Sequence, residues 1–241
     1  NTLASVYAMD ELLDEQNEYA HFAVARYKRT LNDDSYAGGI FAARELADGN
    51  NRIGGIDGQN RISKGATMNY NFIGSTSELS DTSLENKGFT YGIKYDYQTR
   101  NIDYNISVKE ISKDFQADMG YLTRTGLRTF GVLVKPKQYP KAEFISRIDY
   151  EVFSAQSQDL FSNKWETFNH ISAQYFLWGS LTLKVKYSYS TEIFLNERFK
   201  TGGFHILAGG SFTKKLYWDI LYRNINAVYY SAAPFQGYSN R

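Results

Sequence analysis

Residues 89–112 read FTYGIKYDYQTRNIDYNISVKEIS, and this stretch decides the fold class. In its first half Phe89, Tyr91, Ile93, Tyr95 and Tyr97 alternate with Thr90, Gly92, Lys94, Asp96 and Gln98. Past the polar break the parity flips, so that Ile102, Tyr104, Ile106 and Val108 alternate with Asp103, Asn105, Ser107 and Lys109. Successive side chains of a strand point to opposite faces, so each half carries one apolar and one polar face. Two such runs around Gln98-Thr-Arg-Asn101 predict a hairpin. A turn at Thr99-Arg100 would set Asp96 opposite Asp103, a destabilising like-charge pair. A turn at Arg100-Asn101 sets Tyr97 against Tyr104 and Asp96 against Asn105, and is the register expected.

Working outward, similar runs recur. Before the hairpin lie a short segment at residues 3–9 and longer ones at 20–31, 36–46, 52–63 and 66–75. After it come 126–134, 147–153, 167–177, 181–190, 204–212 and 216–230. Residues 10–18 read as an acidic turn or short helix, and 76–87 and 154–164 as polar loops. No segment keeps a helical period over about fifteen residues. The chain is therefore expected to be all-β, with roughly a dozen segments of about ten residues, the spacing of an outer-membrane barrel.

Composition fits without deciding. The 241 residues include no Cys, which excludes a disulfide framework and a thiol nucleophile. A net charge of +1 gives no warrant for a nucleic-acid partner. There is no apolar run long enough for a transmembrane helix, but barrel strands bury only every second residue in lipid. Aromatic residues make up 16% of the chain and fall at segment ends: Tyr95, Tyr97, Tyr187, Tyr189, Tyr222, Tyr229 and Tyr230, with Trp178 and Trp218. A Tyr at a headgroup boundary keeps its hydroxyl wet, whereas a dry sandwich core would leave it to be satisfied. The pattern favours a membrane barrel over a soluble sandwich, and on the residues alone both stay open.

In the barrel reading the polar positions Lys94, Asp96, Asn105, Lys109, Arg147, Asp149, Glu151, Lys184 and Lys186 line the lumen. His21, His170 and His205 sit in no metal-ligand spacing, so no metal or cofactor is expected. Asp57, within Gly54-Gly-Ile-Asp-Gly58, reads first as a residue capping a turn or bulge, with a contribution to a cation or sugar site as the alternative. No catalytic constellation is recognisable. Glu151, Glu166 and Glu192 are the acids a glycosidase would draw on, but nothing pairs them.

At residues 115–128, FQADMGYLTRTGLR, the chain resembles a bacterial family whose barrel is catalogued as domain of unknown function 5916. The features are Phe115, Asp118, Gly120-Tyr121, Arg124 and Arg128, preceded by Phe22-Ala-Val-Ala-Arg26, Ser35-Tyr-Ala-Gly38 and Asn51-Arg-Ile-Gly-Gly-Ile-Asp57. The resemblance covers most of the chain and is strongest over residues 20–130. It implies a location in the outer membrane of a Gram-negative bacterium, with outer-membrane lipid as the partner. It also implies that residues 1–241 are one barrel-domain fragment, an incomplete up-and-down antiparallel arc of about twelve strands. An N-terminal domain like carbohydrate-binding module family 9, and closing strands at the C-terminal side, would lie outside it. The start at Asn1, without Met or a signal-like stretch, agrees with that expectation. Glycans are then the expected partner through that further domain. The functions carried forward are a membrane anchor or pore associated with glycan binding or uptake, a soluble carbohydrate-binding module, and part of a glycoside hydrolase. Arg124 and Arg128 are expected on one face, pointing at the lumen or at the further domain, with a structural salt bridge to nearby acids as the favoured use.

Overall fold

The hairpin forms where the alternation puts it. In a computed structural model of the chain, strands β6 (Glu85–Gln98) and β7 (Ile102–Ile111) flank the turn. Asn105 Nδ2 donates to Asp96 Oδ1 at 2.7 Å, and the Tyr97 and Tyr104 rings stack at 4.8 Å. The Thr99 amide donates to the Ile102 carbonyl at 2.9 Å, closing a two-residue turn at Arg100-Asn101. Asp103, kept away from Asp96, meets Lys137 Nζ at 2.6 Å instead.

The structure describes all residues except 12–17, 80–84, 121, 214, 232 and 241, and the side chain of Phe212. The expected turn or helix at residues 10–18 falls largely outside the described residues. Before the hairpin come β1 (Thr2–Glu11), β2 (Tyr19–Asn32), β3 (Ser35–Leu46), β4 (Gly49–Ser63) and β5 (Ala66–Leu79). After it come β8 (Leu127–Gln138), β9 (Ile145–Asp159), β10 (Lys164–Leu177), β11 (Thr182–Phe194), β12 (Glu197–Thr213), β13 (Leu216–Tyr229) and β14 (Phe235–Asn240). All fourteen run in sequence order in one unclosed, up-and-down antiparallel sheet. The all-β fold is as expected, but the strand count exceeds the dozen. The six residues of β14, just past Pro234, carry too short a pattern to read. Several strands also outrun their apolar stretch. Residues 154–159, expected as loop, are the end of β9. Their Ser and Gln side chains remove the alternation, yet the backbone ladder continues through them.

The chain divides into two compact units: residues 1–95 with 107–129, and residues 96–106 with 130–241. In the first, register sets Gly39, Ile56 and Phe72 in one row. Ile56 and Phe72 are 60% and 53% exposed, and the Phe72 and Phe89 rings stack at 6.4 Å. In the second, Val152, Ile171, Tyr187 and Phe204 lie directly opposite one another across β9 to β12. Val152 and Ile171 are 53% and 58% exposed. The opposite face is the buried one: Asp149 is 3% exposed, and Asn51, Ser75, Ser77, Ser172 and Ser188 are buried as well. Among the described residues no large side chain is fully buried. The polarity of an ordinary soluble sheet is inverted.

Candidate functional site

The polar face of the first unit carries an inward-folded segment. Residues 114–118, between β7 and β8, lie across the polar side of β3 to β6. Asn51 Nδ2 donates to the Gln116 carbonyl at 3.1 Å, and its Oδ1 accepts the Asp118 amide at 2.9 Å. The Gln116 amide donates to Ser75 Oγ at 3.1 Å, and Arg44 Nη1 pairs with Asp118 Oδ2 at 3.1 Å. Phe115 is buried, and the segment presses so closely on β6 that a Cβ at Gly88 would stand 2.2 Å from Phe115 Cα. Only glycine fits there. Phe115 and Asp118, two of the residues singled out in the sequence, are therefore seated on the strands.

Between this segment and the strands is a pocket of about 640 Å³. Tyr36, Asp57, Asn71, Lys94, Lys109 and Arg124 are on its wall. Arg26 holds Asp57 Oδ2 at 2.7 Å and the Gly39 carbonyl at 3.0 Å. The Asp57 side chain is thus part of a polar wall, which corrects its reading as a turn cap. Asp57 Oδ1 and Asn71 Oδ1 are buried and have no hydrogen-bond partner among the described residues. Gly92 keeps room for Asn71, whose Oδ1 would lie 2.6 Å from a Cβ placed there. Sequence spacing gave no hint of this pairing, because Asp57 and Asn71 meet only through the β4–β5 register.

The two marker arginines part company. Arg124 lines the pocket, as do Leu127 and Thr129. Arg128, between them on β8, turns to the apolar side and meets Glu110 Oε2 at 2.6 Å, which also accepts from the Tyr91 hydroxyl at 3.1 Å. The expectation of one shared face fails because Arg124 precedes β8 in irregular chain and is not on the extended strand that carries Arg128. Gly120 donates to the Ala117 carbonyl within that loop, and Tyr121 lies outside the described residues. A charged pair on the apolar face near strand ends is tolerable because each partner satisfies the other.

In the second unit the polar face has a different composition. Asp149 takes Lys135 at 3.6 Å and Arg147 at 2.8 Å, the latter an ion contact without hydrogen-bond alignment. The Arg147 guanidinium also lies 3.9 Å over the Phe176 ring. Glu151 meets His170 at 2.7 Å and Lys184 at 3.8 Å. His170 stacks on Phe153 at 5.1 Å. Lys184 and Lys186 are on this same face, opposite Gln174 and Ser172. Asp96 and Asn105, at the turn end of the hairpin, belong to this unit and pair with each other. Glu166 accepts the Ile193 amide and Glu192 the Tyr230 hydroxyl. Among the described residues no His, Asp and Glu cluster could hold a metal ion.

No family model and no curated protein matches the chain. The resemblance read at residues 115–128 gains no support from either comparison. Among solved structures the chain is similar to a NanC porin in a rhombohedral crystal form. The TM-score is 0.37 at 13% identity, covering 78% of this chain and 91% of that one. That slight likeness transfers nothing, and the fold stands on its own strand order.

Proposed function

We propose that the chain is part of an outer-membrane β-barrel that forms a pore, its apolar face against lipid and its polar face against water. The observation that carries this reading is the inverted polarity of a single sheet. Among the described residues, rows such as Val152, Ile171, Tyr187 and Phe204 have no second sheet to cover them, while the other face carries buried Asp149, Ser172 and Ser188 and the Glu151 ion pairs. Exposing such rows to water forgoes roughly 25 cal/mol per Å² of apolar area, and lipid removes that cost. The ladder bonds satisfy the backbone polar groups, the requirement for crossing hydrocarbon as strands. On this reading Lys94, Lys109, Arg147, Asp149, Glu151, Lys184 and Lys186 face the lumen, and the segment over β3 to β6 narrows it.

A pore is favoured over a plain anchor by the pocket under the seated segment. Its two unpartnered acceptor oxygens, Asp57 Oδ1 and Asn71 Oδ1, suit hydroxyl donors, and the Tyr36 side chain stands beside them. That combination supports passage or binding of a sugar, with the glycan association resting on this pocket. Extraction tests the location: the full-length protein stays with membranes through an alkaline carbonate wash and needs detergent for release. Release by carbonate alone would return the chain to the soluble-module reading. In planar bilayers the detergent-folded protein gives discrete conductance steps, and a silent bilayer would leave only the anchor.

A further inference from the structure

The polar face of the second unit carries one row whose charges do not balance. Register places Glu151, Ser172, Lys186, His205 and Arg223 directly opposite one another across β9 to β13. Glu151 is already engaged by His170 and Lys184. The other end of the row is a lysine, a histidine and an arginine on three adjacent strands. Cross-strand neighbours of this kind have Cβ atoms roughly 5 Å apart, and like charges so placed repel.

Among the described residues none of the three forms an ion pair. Lys186 has only the Phe168 ring, 5.6 Å from its ammonium, and His205 Nε2 only the Ser188 hydroxyl at 3.5 Å. Arg223 Nε is buried without a hydrogen-bond partner, and so is the hydroxyl of Ser172 opposite Lys186. The nearest acids on the same face do not reach. Asp149 is held by Arg147 and Lys135, and Asp219 stands opposite Gly209, four residues along β13 from Arg223, roughly 13 Å at strand rise. The two cations Lys186 and Arg223, half-buried on either side of His205, lack a counter-charge among the described residues.

We propose that Lys186, His205 and Arg223 form a binding site for the oxyanion of a small soluble solute, a carboxylate or a phosphate. The planar fork of Arg223 suits two oxygens of such a group, and Lys186 adds a point charge beside it. The Ser172 hydroxyl offers a further donor, and the Phe168 ring an apolar surface for the solute's body. In a pore the same row would draw anions through in preference to cations. The proposal rests on the reading that this face is wet.

The test uses histidine NMR on the detergent-folded full-length protein, labelled at the imidazole carbons. The described chain gives three signals, from His21, His170 and His205. Glucuronate and inorganic phosphate are each titrated in, with glucose as the neutral control. The His205 signal moves with one or both anions and not with glucose, and the preferred anion identifies the oxyanion read. Lys186→Gln and Arg223→Gln each weaken binding about tenfold, as expected for one charge-assisted hydrogen bond. Lys87→Gln, in the first unit, leaves binding unchanged. Unmoved His21 and His170 signals in each variant show that it has folded. Silence of His205 to both anions, or full affinity in both variants, overturns the site. A protein that binds at His205 but passes no current in bilayers upholds the site and refutes the pore.

Discussion

Replacing Gly88 by Ala should unseat the segment that covers the polar face of β3 to β6. The added Cβ would fall 2.2 Å from Phe115 Cα, 2.3 Å from Phe115 N and 2.5 Å from the Asp114 carbonyl carbon. All three are backbone atoms, so no side chain can swing aside. Carbon atoms settle near 3.5–4.0 Å, so the segment must retreat by more than about 1 Å. The neutral hydrogen bonds that seat it, Asn51 to Gln116, Asp118 to Asn51 and Gln116 to Ser75, span 2.9 to 3.1 Å. A shift of that size takes all three past useful length. At about 0.5–1.5 kcal/mol each, their loss amounts to about 2–4 kcal/mol, or roughly 30- to 1,000-fold in the seated-to-open ratio. The chain has no Cys, so a single Ser77→Cys beneath the segment gives a clean maleimide probe. Labelling should be slow in the Gly88 background and much faster with Gly88→Ala, with larger conductance steps in bilayers. Equal labelling rates and equal conductance would refute the seating.

Three other outcomes follow from the structure. Ile171→Arg, placing a charge at a 58% exposed position of the apolar face, should destabilise the protein in lipid vesicles by about 2–4 kcal/mol in a urea titration. At a water-facing site the cost would stay within about 0.5 kcal/mol. Glu110→Gln leaves the Arg128 charge without its counter-ion on the apolar face, and should lower the urea midpoint while leaving the slope unchanged. The same change at Glu78, bonded to Asn50 on the strand end, should move it far less. Tyr230, just past β13, has its phenol pushed up to about 12 by burial and by Glu192, which accepts its proton at 2.8 Å. Because its folded pKa lies above the ordinary 10, that contribution to stability is whole below pH 10 and lost as pH rises through about 12. Tyr230→Phe should remove one late-ionising phenol from the ultraviolet titration.

Strand order and the hairpin register were legible because alternation and charge opposition are local. Tyr97 against Tyr104 and Asp96 against Asn105 follow from parity and one repulsion. Strand ends were less legible. In 154–159 both faces are polar, so the ladder continues where the pattern stops. The pocket was hidden for a different reason. Asp57 and Asn71 meet through the β4–β5 register, and Arg124 joins them only because the segment before β8 folds back over the sheet. Gly88 lies inside β6 beneath Phe115, but the alternation begins only at Phe89, so the glycine read as the end of the preceding loop. The separation of Arg124 from Arg128 could not be read from spacing, since spacing assigns faces only where the backbone is extended.

The central claim is that the apolar face meets lipid and the polar face meets water. Nitroxide labels at single Cys substitutions from Asn169 to Gln174, in the full-length protein folded into vesicles, test it most directly. Relaxation by oxygen, which dissolves in lipid, and by an aqueous nickel chelate should alternate with a period of two. Oxygen should dominate at Ile171 and Ala173, and the chelate at Ser172 and Gln174. Equal chelate access at Ile171 and Ser172, with no alternation, would contradict the account.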